Sequence, residues 1–319
     1  FDAGTFDIAQ LIQFPEKYVH ALSTEAMILI FLGVFSKSAQ FPFHFWLPNA
    51  MTAPTPASSY LHSATMVKAG IFLLMRLYPL LSFYPAWEAV TSTVGWLTFV
   101  VCAFLCLLQT DLKAVLAYTT TSALGMIVFS LSFSEFDYVA AGLAFLWAHA
   151  FYKAPMFLLA GNIEKAYGTR DLNLLGGVRK QMPRTFWAFL PCALAMASLP
   201  PFFSFLAKEE LLEALLLRPW WQVTGFVFAA IVFVWVPFRW LKTLFGGSEK
   251  IESPKKILPV LDLIPFLFGV LSLLALWNHG EFFSTVVSRA TVSLTQVESS
   301  LEFHFWHGWK TPLFLSLLS

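Results

Sequence analysis

The chain alternates between long apolar segments and short polar connections. Most of the apolar segments approach or exceed the ~20 residues that a helix needs to cross the hydrocarbon core of a bilayer. The pattern predicts an all-α, polytopic transmembrane helix bundle of about eight spans, with a ninth beginning at Pro312. In chain order, the eight predicted spans are Ala21–Phe35, Pro56–Leu77, Ala89–Gln109, Ala114–Ser134, Tyr138–Gly161, Thr185–Leu217, Trp220–Phe238 and Ile257–Trp277.

The sixth span is too long to be one straight membrane helix. At 1.5 Å per residue, Thr185–Leu217 would extend about 50 Å, whereas the hydrocarbon core is ~30 Å thick. Pro200 and Pro201 lie near its middle, and neither has a backbone N–H to donate. We therefore predict a broken helix with halves near Thr185–Leu199 and Phe202–Leu217, lining a cavity where freed backbone groups find partners. A plain proline kink is the alternative.

Composition supports a membrane protein and excludes several other classes. Of the 319 residues, 58% are hydrophobic and 12% are charged, and the formal net charge is +1. These values exclude a disordered chain and a disulfide scaffold, and they provide no basic field for nucleic acid. The three cysteines, Cys102, Cys106 and Cys192, lie in apolar runs and are interpreted as buried side chains. No metal-binding or cofactor-binding motif is present, so we expect neither metal nor cofactor.

The loops carry an asymmetric charge that predicts orientation. Lysine and arginine concentrate in the connections 162–184 and 239–256, which are separated by two spans and therefore share a side. The positive-inside rule places both, together with 41–55, in the cytoplasm of a cell (inner or plasma) membrane. We treat 1–319 as one transmembrane domain, in which 278–308 forms an extracytoplasmic loop. Within that loop, a short interfacial helix and a hairpin both remain open.

Ionisable side chains inside the spans are the candidate chemistry. A charge at bilayer depth costs at least ~2.5–3.5 kcal/mol and commonly marks an ion path. Lysine and histidine can both take up and release protons, and a spacing of four places His149 and Lys153 on one helix face. We predict a water-linked proton pathway through Lys37, His62, Lys68, His149, Lys153 and Lys208.

Three of these assignments have a purely structural alternative. Lys37 could be a snorkelling lysine at a helix end, and Lys208 could belong to a solvated helix end. His149 could be bonded to a carbonyl of a neighbouring helix. Four further residues are possible supporting groups: Asp111, Lys113, Glu209 and Asp262. Asp111 is explained equally well by the helix macrodipole, and Asp262 could bind a cation, pair with a base or lie near the headgroups.

The same segments resemble a known family of proton-translocating, antiporter-like membrane subunits. Residues 37–70 read KSAQFPFHFWLPNAMTAPTPASSYLHSATMVKAG and are similar to the family signature; Gln109–Gly125, His149–Gly161 and Leu199–Glu209 follow in the family's order. The family includes membrane-arm subunits of respiratory complex I and the large subunits of Mrp-type antiporters. The lysine in ATMVKAG and the late HGWKTPLFLSLL resemble the Mrp A-type subunit in particular.

The resemblance implies a function and a role for each residue. It implies a proton-conducting subunit of a multisubunit Na⁺/H⁺ (or K⁺/H⁺) antiporter, which is a secondary transporter with other membrane subunits as partners and not an enzyme. Lys37 then matches the lysine of a first broken helix. The connecting sites of the family match His62 and Lys68, and its central relay matches His149 and Lys153. The lysine at the exit matches Lys208. The alternatives are a proton-pumping subunit of complex I or a related hydrogenase, and a non-conducting scaffold.

Some features depart from the family pattern. The family pairs the lysine at Lys37 with a glutamate on an earlier helix, so we expect the chain to be truncated at both ends and not to pump alone. Phe203 and Ser204 stand where the family often has Asn-Gly, and Ala123 stands where many members have Gln. These changes affect the expected flexibility of the break at Pro200 and Pro201, and they affect one polar contact.

Overall fold

Helices form every extended regular element of the computed structural model, which describes residues 4–5, 7–63, 65–251, 254–273 and 281–299, without the side chains of 282 and 283. The α-helices are α1 (Ile8–Gln13), α2 (Pro15–Val19), α3 (Thr24–Lys37), α4 (Trp46–Asn49), α5 (Thr55–Ser63), α6 (Met66–Leu81), α7 (Trp87–Leu107), α8 (Leu112–Ser130), α9 (Phe136–Tyr167), α10 (Val178–Gln181), α11 (Pro183–Met196), α12 (Phe203–Leu215), α13 (Trp220–Arg239), α14 (Val260–Leu271) and α15 (Glu281–Thr295). Short 3₁₀ turns cover Phe43–Phe45 and Ala50–Thr52, and a π-helical turn, Trp240–Phe245, continues α13.

The all-α transmembrane fold is confirmed, but the count of eight spans is not. In the described residues, five helical stretches are long and apolar enough to cross a membrane: Thr55–Leu81, α7, α8, α9 and Trp220–Phe245. Helices α3, α11, α12 and α14 contain 14, 14, 13 and 12 residues, short of the ~20 required. Helix α3 is the predicted first span, and the chain leaves it through Ala39, whose φ is 51°. Residues 274–277 of the predicted eighth span lie outside the described residues.

Helix α9 organises the bundle. Its 32 residues extend about 48 Å, and it packs against α5, α8, α11, α12, α14 and α15. It ends at Gly168, whose positive φ of 73° lets its N–H bond to the Glu164 carbonyl. Because the helix continues to Tyr167, Asn162 and Glu164 lie in its last turns and not in a loop beginning at residue 162.

The predicted break in the sixth span is confirmed. Helix α11 ends at Met196 and α12 begins at Phe203, with Pro200 and Pro201 between them. The Ser204 hydroxyl donates to the Ala195 carbonyl across the gap and so satisfies an acceptor freed by the break. The geometry is a separation into two helices and not a proline kink.

A second break was not predicted. The segment Pro56–Leu77 was expected to be one span, but α5 ends at Ser63 and α6 begins at Met66. Thr65 has φ −131° and ψ −84°, which is not helical. His62 and Lys68 therefore do not share one regular helix, and their relative orientation is set by the break.

The connections gather at two ends of the bundle. The Arg170 guanidinium donates to the Met51 carbonyl (2.6 Å), and the Lys250 amine donates to the Asn173 carbonyl (2.7 Å). The loops 41–55, 162–184 and 239–256 therefore share one end, called the basic end below. At the other end, the Arg218 guanidinium pairs with Glu135 (3.0 Å).

Part of the predicted loop 278–308 is helical. Helix α15 packs against α6 and α9, so for residues 281–295 the structure favours the helix over the hairpin. Residues 278–280, 300–308 and the predicted ninth span from Pro312 lie outside the described residues.

Close packing of α7 on α8 gives a stability prediction. A Cβ at Gly125 would lie 2.6 Å from the Phe99 backbone nitrogen, whereas a Cβ at Gly33 would meet no heavy atom within 4 Å. We expect Gly125→Ala to cost about 1–3 kcal/mol by overpacking and to lower the melting temperature in detergent. Gly33→Ala is the matched control, and equal melting temperatures for the two variants would contradict the packing argument.

Candidate functional site

Four of the six predicted pathway residues meet in one place. His62 on α5, and His149 and Lys153 on α9, are each 0% exposed, and Lys68 on α6 is half-buried. His62, Lys68 and Lys153 all lie close enough to His149 to interact with it electrostatically. These four residues are called the central cluster below.

Lys153 is held by neutral oxygens of α8. Its amine donates to the Thr119 hydroxyl (2.6 Å) and to the Leu116 carbonyl (3.3 Å). A neutral oxygen accepts a hydrogen bond from the ammonium but has no negative charge that would hold Lys153 in its protonated form. A hydroxyl can also donate a hydrogen bond to the neutral amine. This environment suits an amine that gains and loses a proton.

The two histidines of the cluster have no hydrogen-bonding partner for any ring nitrogen in the described part of the chain. The His62 ring stacks on Phe157 at 4.4 Å, and the His149 ring meets Tyr152 edge-on at 5.4 Å. Buried polar atoms are normally hydrogen-bonded, by protein or by ordered water. The four nitrogens are thus suited to water contacts, and the alternative of His149 bonded to a neighbouring carbonyl is wrong.

Lys68 reaches the cluster from the second half of the broken α5–α6 segment. Its amine donates to the Leu146 carbonyl (3.3 Å), which lies on α9 three residues before His149. Lys68 belongs to α6, which begins after the non-helical Thr65 and is therefore separate from α5.

Lys208 is buried at 6% exposure and lies on α12, which packs against α9. It lines a cavity of about 20 Å³ with Phe145 and Met126, which is room for about one water molecule. Phe145 lies one helical turn before His149 on α9 and shares this cavity with Lys208. Glu209 is also buried, at 8%, and interacts with Lys208 electrostatically. The alternative of a solvated helix end is therefore wrong for both residues.

Lys37 does not join the buried set. It is exposed in the last turn of α3, which fits the alternative of a snorkelling lysine at a helix end. Its role in proton movement remains a prediction.

Two of the supporting residues are structural. Asp111 caps α8 by accepting from the Ala114 N–H (2.9 Å) and pairs with Arg170 (2.9 Å), as expected for an acid at a helix start. Asp262 is buried and accepts from the Asn162 amide and the Thr185 hydroxyl, both at 2.9 Å. It links α14 to α9 and α11.

The sequence did not reveal a half-buried ion pair near the basic end. The Lys113 amine lies 2.7 Å from the Glu164 carboxylate, and the Thr55 hydroxyl donates to the same carboxylate (3.3 Å). Glu164 was counted among the loop charges. The available signal was its spacing of 11 residues from Lys153, about three helical turns, which places both on one face of a longer α9.

Residues 2–233 match the family model described as NADH:quinone oxidoreductase/Mrp antiporter, transmembrane. The chain is 37% identical to the A/B subunit of a probable K⁺/H⁺ antiporter of Rhizobium meliloti (strain 1021), over 94% of this chain and 31% of that protein. It is 36% identical to the A1 subunit of an Na⁺/H⁺ antiporter of Staphylococcus aureus (strain JH9), over 98% of this chain and 43% of that protein.

A solved structure, the Mrp complex from Dietzia sp. DQ12-45-1b, contains a similar chain. It superimposes with a TM-score of 0.80 at 33% identity, over 94% of this chain and 34% of that one. The chain thus spans 31–43% of the length of these matched proteins.

Proposed function

The chain belongs to the NADH:quinone oxidoreductase/Mrp antiporter transmembrane family, and we propose that it is the proton-conducting part of a multisubunit Na⁺/H⁺ or K⁺/H⁺ antiporter. The observation that carries this proposal is the central cluster. A fully buried lysine on a neutral hydroxyl, beside two histidines with unpartnered nitrogens, is suited to moving protons and has no evident role in packing.

Protons would move within the cluster by simple transfer. The Lys153 ammonium gives a proton through water to a ring nitrogen of His149, which leaves a neutral amine and an imidazolium. Either neighbour, His62 or Lys68, can accept next. A positive charge at one of these sites disfavours a positive charge at the next, because repulsion is strong in a low dielectric. A charge change at one end of the series therefore biases the other end.

The assembly and its orientation follow from the same proposal. Other membrane subunits and the bilayer are the partners, and H⁺ with Na⁺ or K⁺ are the transported ions. The positive-inside rule supports a cytoplasmic location for the basic end, with the loops 41–55, 162–184 and 239–256. Lys208, which shares its cavity with Phe145, would serve the far end of the path.

The experiment that tests the function uses everted vesicles containing the whole antiporter, in a host without its own antiporters. Respiration first builds a pH gradient, and Na⁺ or K⁺ is then added. We expect a prompt, cation-dependent loss of the gradient. A component of a redox-driven complex would instead build the gradient on NADH oxidation and ignore the added cation. No response to either cation would reject the proposal.

A further inference from the structure

A cavity of about 450 Å³ opens at the basic end, beside the start of α5 and the last turns of α9. Its lining includes Thr55, Lys113, Leu158, Asn162, Glu164 and Leu261. A cavity of this size has room for many water molecules. It therefore gives water access to the ion pair between Lys113 and Glu164.

The two members of this pair differ in exposure. The Lys113 side chain is 2% exposed, whereas the Glu164 side chain is 34% exposed. Lys113 also donates to the Ala53 carbonyl (3.2 Å), and Glu164 lies 3.7 Å from the Arg170 guanidinium, which itself pairs with Asp111. The pair thus has a wet outer member and a dry inner member, and Glu164 has a second cation within reach.

Helix α8 leads from this pair to the central cluster. Lys113 precedes Leu116 and Thr119, the two residues that hold the Lys153 amine, by three and six residues. Six residues correspond to about 9 Å along a helix, a distance that a few water molecules can bridge.

Helix α5 forms a second wall in the same direction. Thr55 and His62 are seven residues apart and share one face of α5. Between them, the Ser59 hydroxyl donates to the Ala154 carbonyl (3.0 Å), next to Lys153 on α9. Polar side chains therefore continue from the cavity to the buried histidine.

We propose that this cavity is the aqueous mouth of the proton path and that the Lys113–Glu164 pair gates it. The proposal rests on the proposed function. The Glu164 carboxylate takes a proton from cavity water, and the neutral acid releases the Lys113 ammonium. Lys113 then gives its proton to water on the cluster side and becomes a neutral amine. Transfer of the Glu164 proton to Lys113 restores the ion pair, so that one proton has moved inward.

The first test compares variants of the carboxylate in vesicles containing the whole antiporter. We expect Glu164→Gln to lower cation-dependent proton flux about ten-fold, because the amide cannot carry a proton, and Glu164→Asp to retain much of the flux. Glu249→Gln is the matched control, since Glu249 pairs with Lys180 at the same end but on the surface. Unchanged flux in Glu164→Gln would overturn the gating role.

The second test measures access and does not depend on the charge variants. The three cysteines of this chain are buried and do not compete with an introduced cysteine for a membrane-impermeant maleimide. We expect Thr55→Cys to be labelled from the basic end with loss of flux, and the exposed Thr243→Cys to be labelled without loss. If Thr55→Cys is not labelled, or is labelled without loss of proton flux, the cavity is not the mouth of the proton path.

Lys153→Met separates the two proposals. If this variant abolishes flux while the Glu164 and Thr55 variants do not, the mouth is wrong and the proposed function stands. If Lys153→Met also leaves flux unchanged, the proposed function fails as well.

Discussion

Replacing Lys153 with Met is expected to reduce cation-dependent proton flux about a hundred-fold, the scale on which positioned proton-transfer groups act. Methionine fills a similar volume with a flexible apolar side chain, so packing in the interior of α9 is largely retained. What is lost is the amine that bonds to Thr119 and interacts with His62. The measurement is the initial rate of gradient collapse in everted vesicles after Na⁺ or K⁺ addition.

Lys242→Met provides the control for this variant. It is the same substitution, but Lys242 is exposed in the π-helical turn after α13 and does not line the cavity at the basic end. Its flux should stay within about two-fold of the wild type, since surface substitutions rarely matter. Equal loss in both variants would indicate a general effect of charge on assembly, and equal retention would remove Lys153 from the path.

Replacing His149 with Phe should separate function from stability. Both ring nitrogens of His149 are buried without a protein partner, and such groups cost about 1–3 kcal/mol each when left unsatisfied. A phenyl ring removes these atoms while filling the same space against Tyr152. We therefore expect proton flux to fall at least about ten-fold, while the melting temperature in detergent does not fall.

Tyr152→Phe is the companion variant for His149→Phe. The Tyr152 hydroxyl is another buried atom without a hydrogen-bonding partner in the described residues, and it is not expected to ionise at working pH. Its removal should leave flux near the wild-type value. A His149→Phe protein that melts earlier and still conducts protons would show that the histidine is a packing residue.

The local sequence predicted the features that depend on composition and on neighbouring residues. Hydropathy predicted the apolar helices, and the adjacent Pro200 and Pro201 predicted the break between α11 and α12. The spacing of four predicted that His149 and Lys153 share a face of α9. The family resemblance is confirmed by the match over residues 2–233, and the proton-path roles that it implies for these residues stay predictions.

Features that depend on contacts between distant helices were missed or misjudged. Lys37 was predicted on the path, but it is exposed at the end of α3, whereas His62, His149 and Lys153 are fully buried. Glu164 was assigned to a loop because α9 was expected to end at Gly161, whereas the helix continues six residues further to Tyr167. The break after Ser63 has no proline to mark it and only emerges in the folded chain.

The sequence alone determined that this is an all-helical membrane protein with protonatable side chains inside its spans, because burial of lysine or histidine in apolar segments is costly wherever it occurs. Only the tertiary structure decided which of these side chains meet. It packed α5 and α8 against α9, so that Thr119 receives the Lys153 amine and Lys113 pairs with Glu164. Hydropathy and spacing act along the chain, whereas such partners are chosen by helix packing, which brings together residues far apart in sequence.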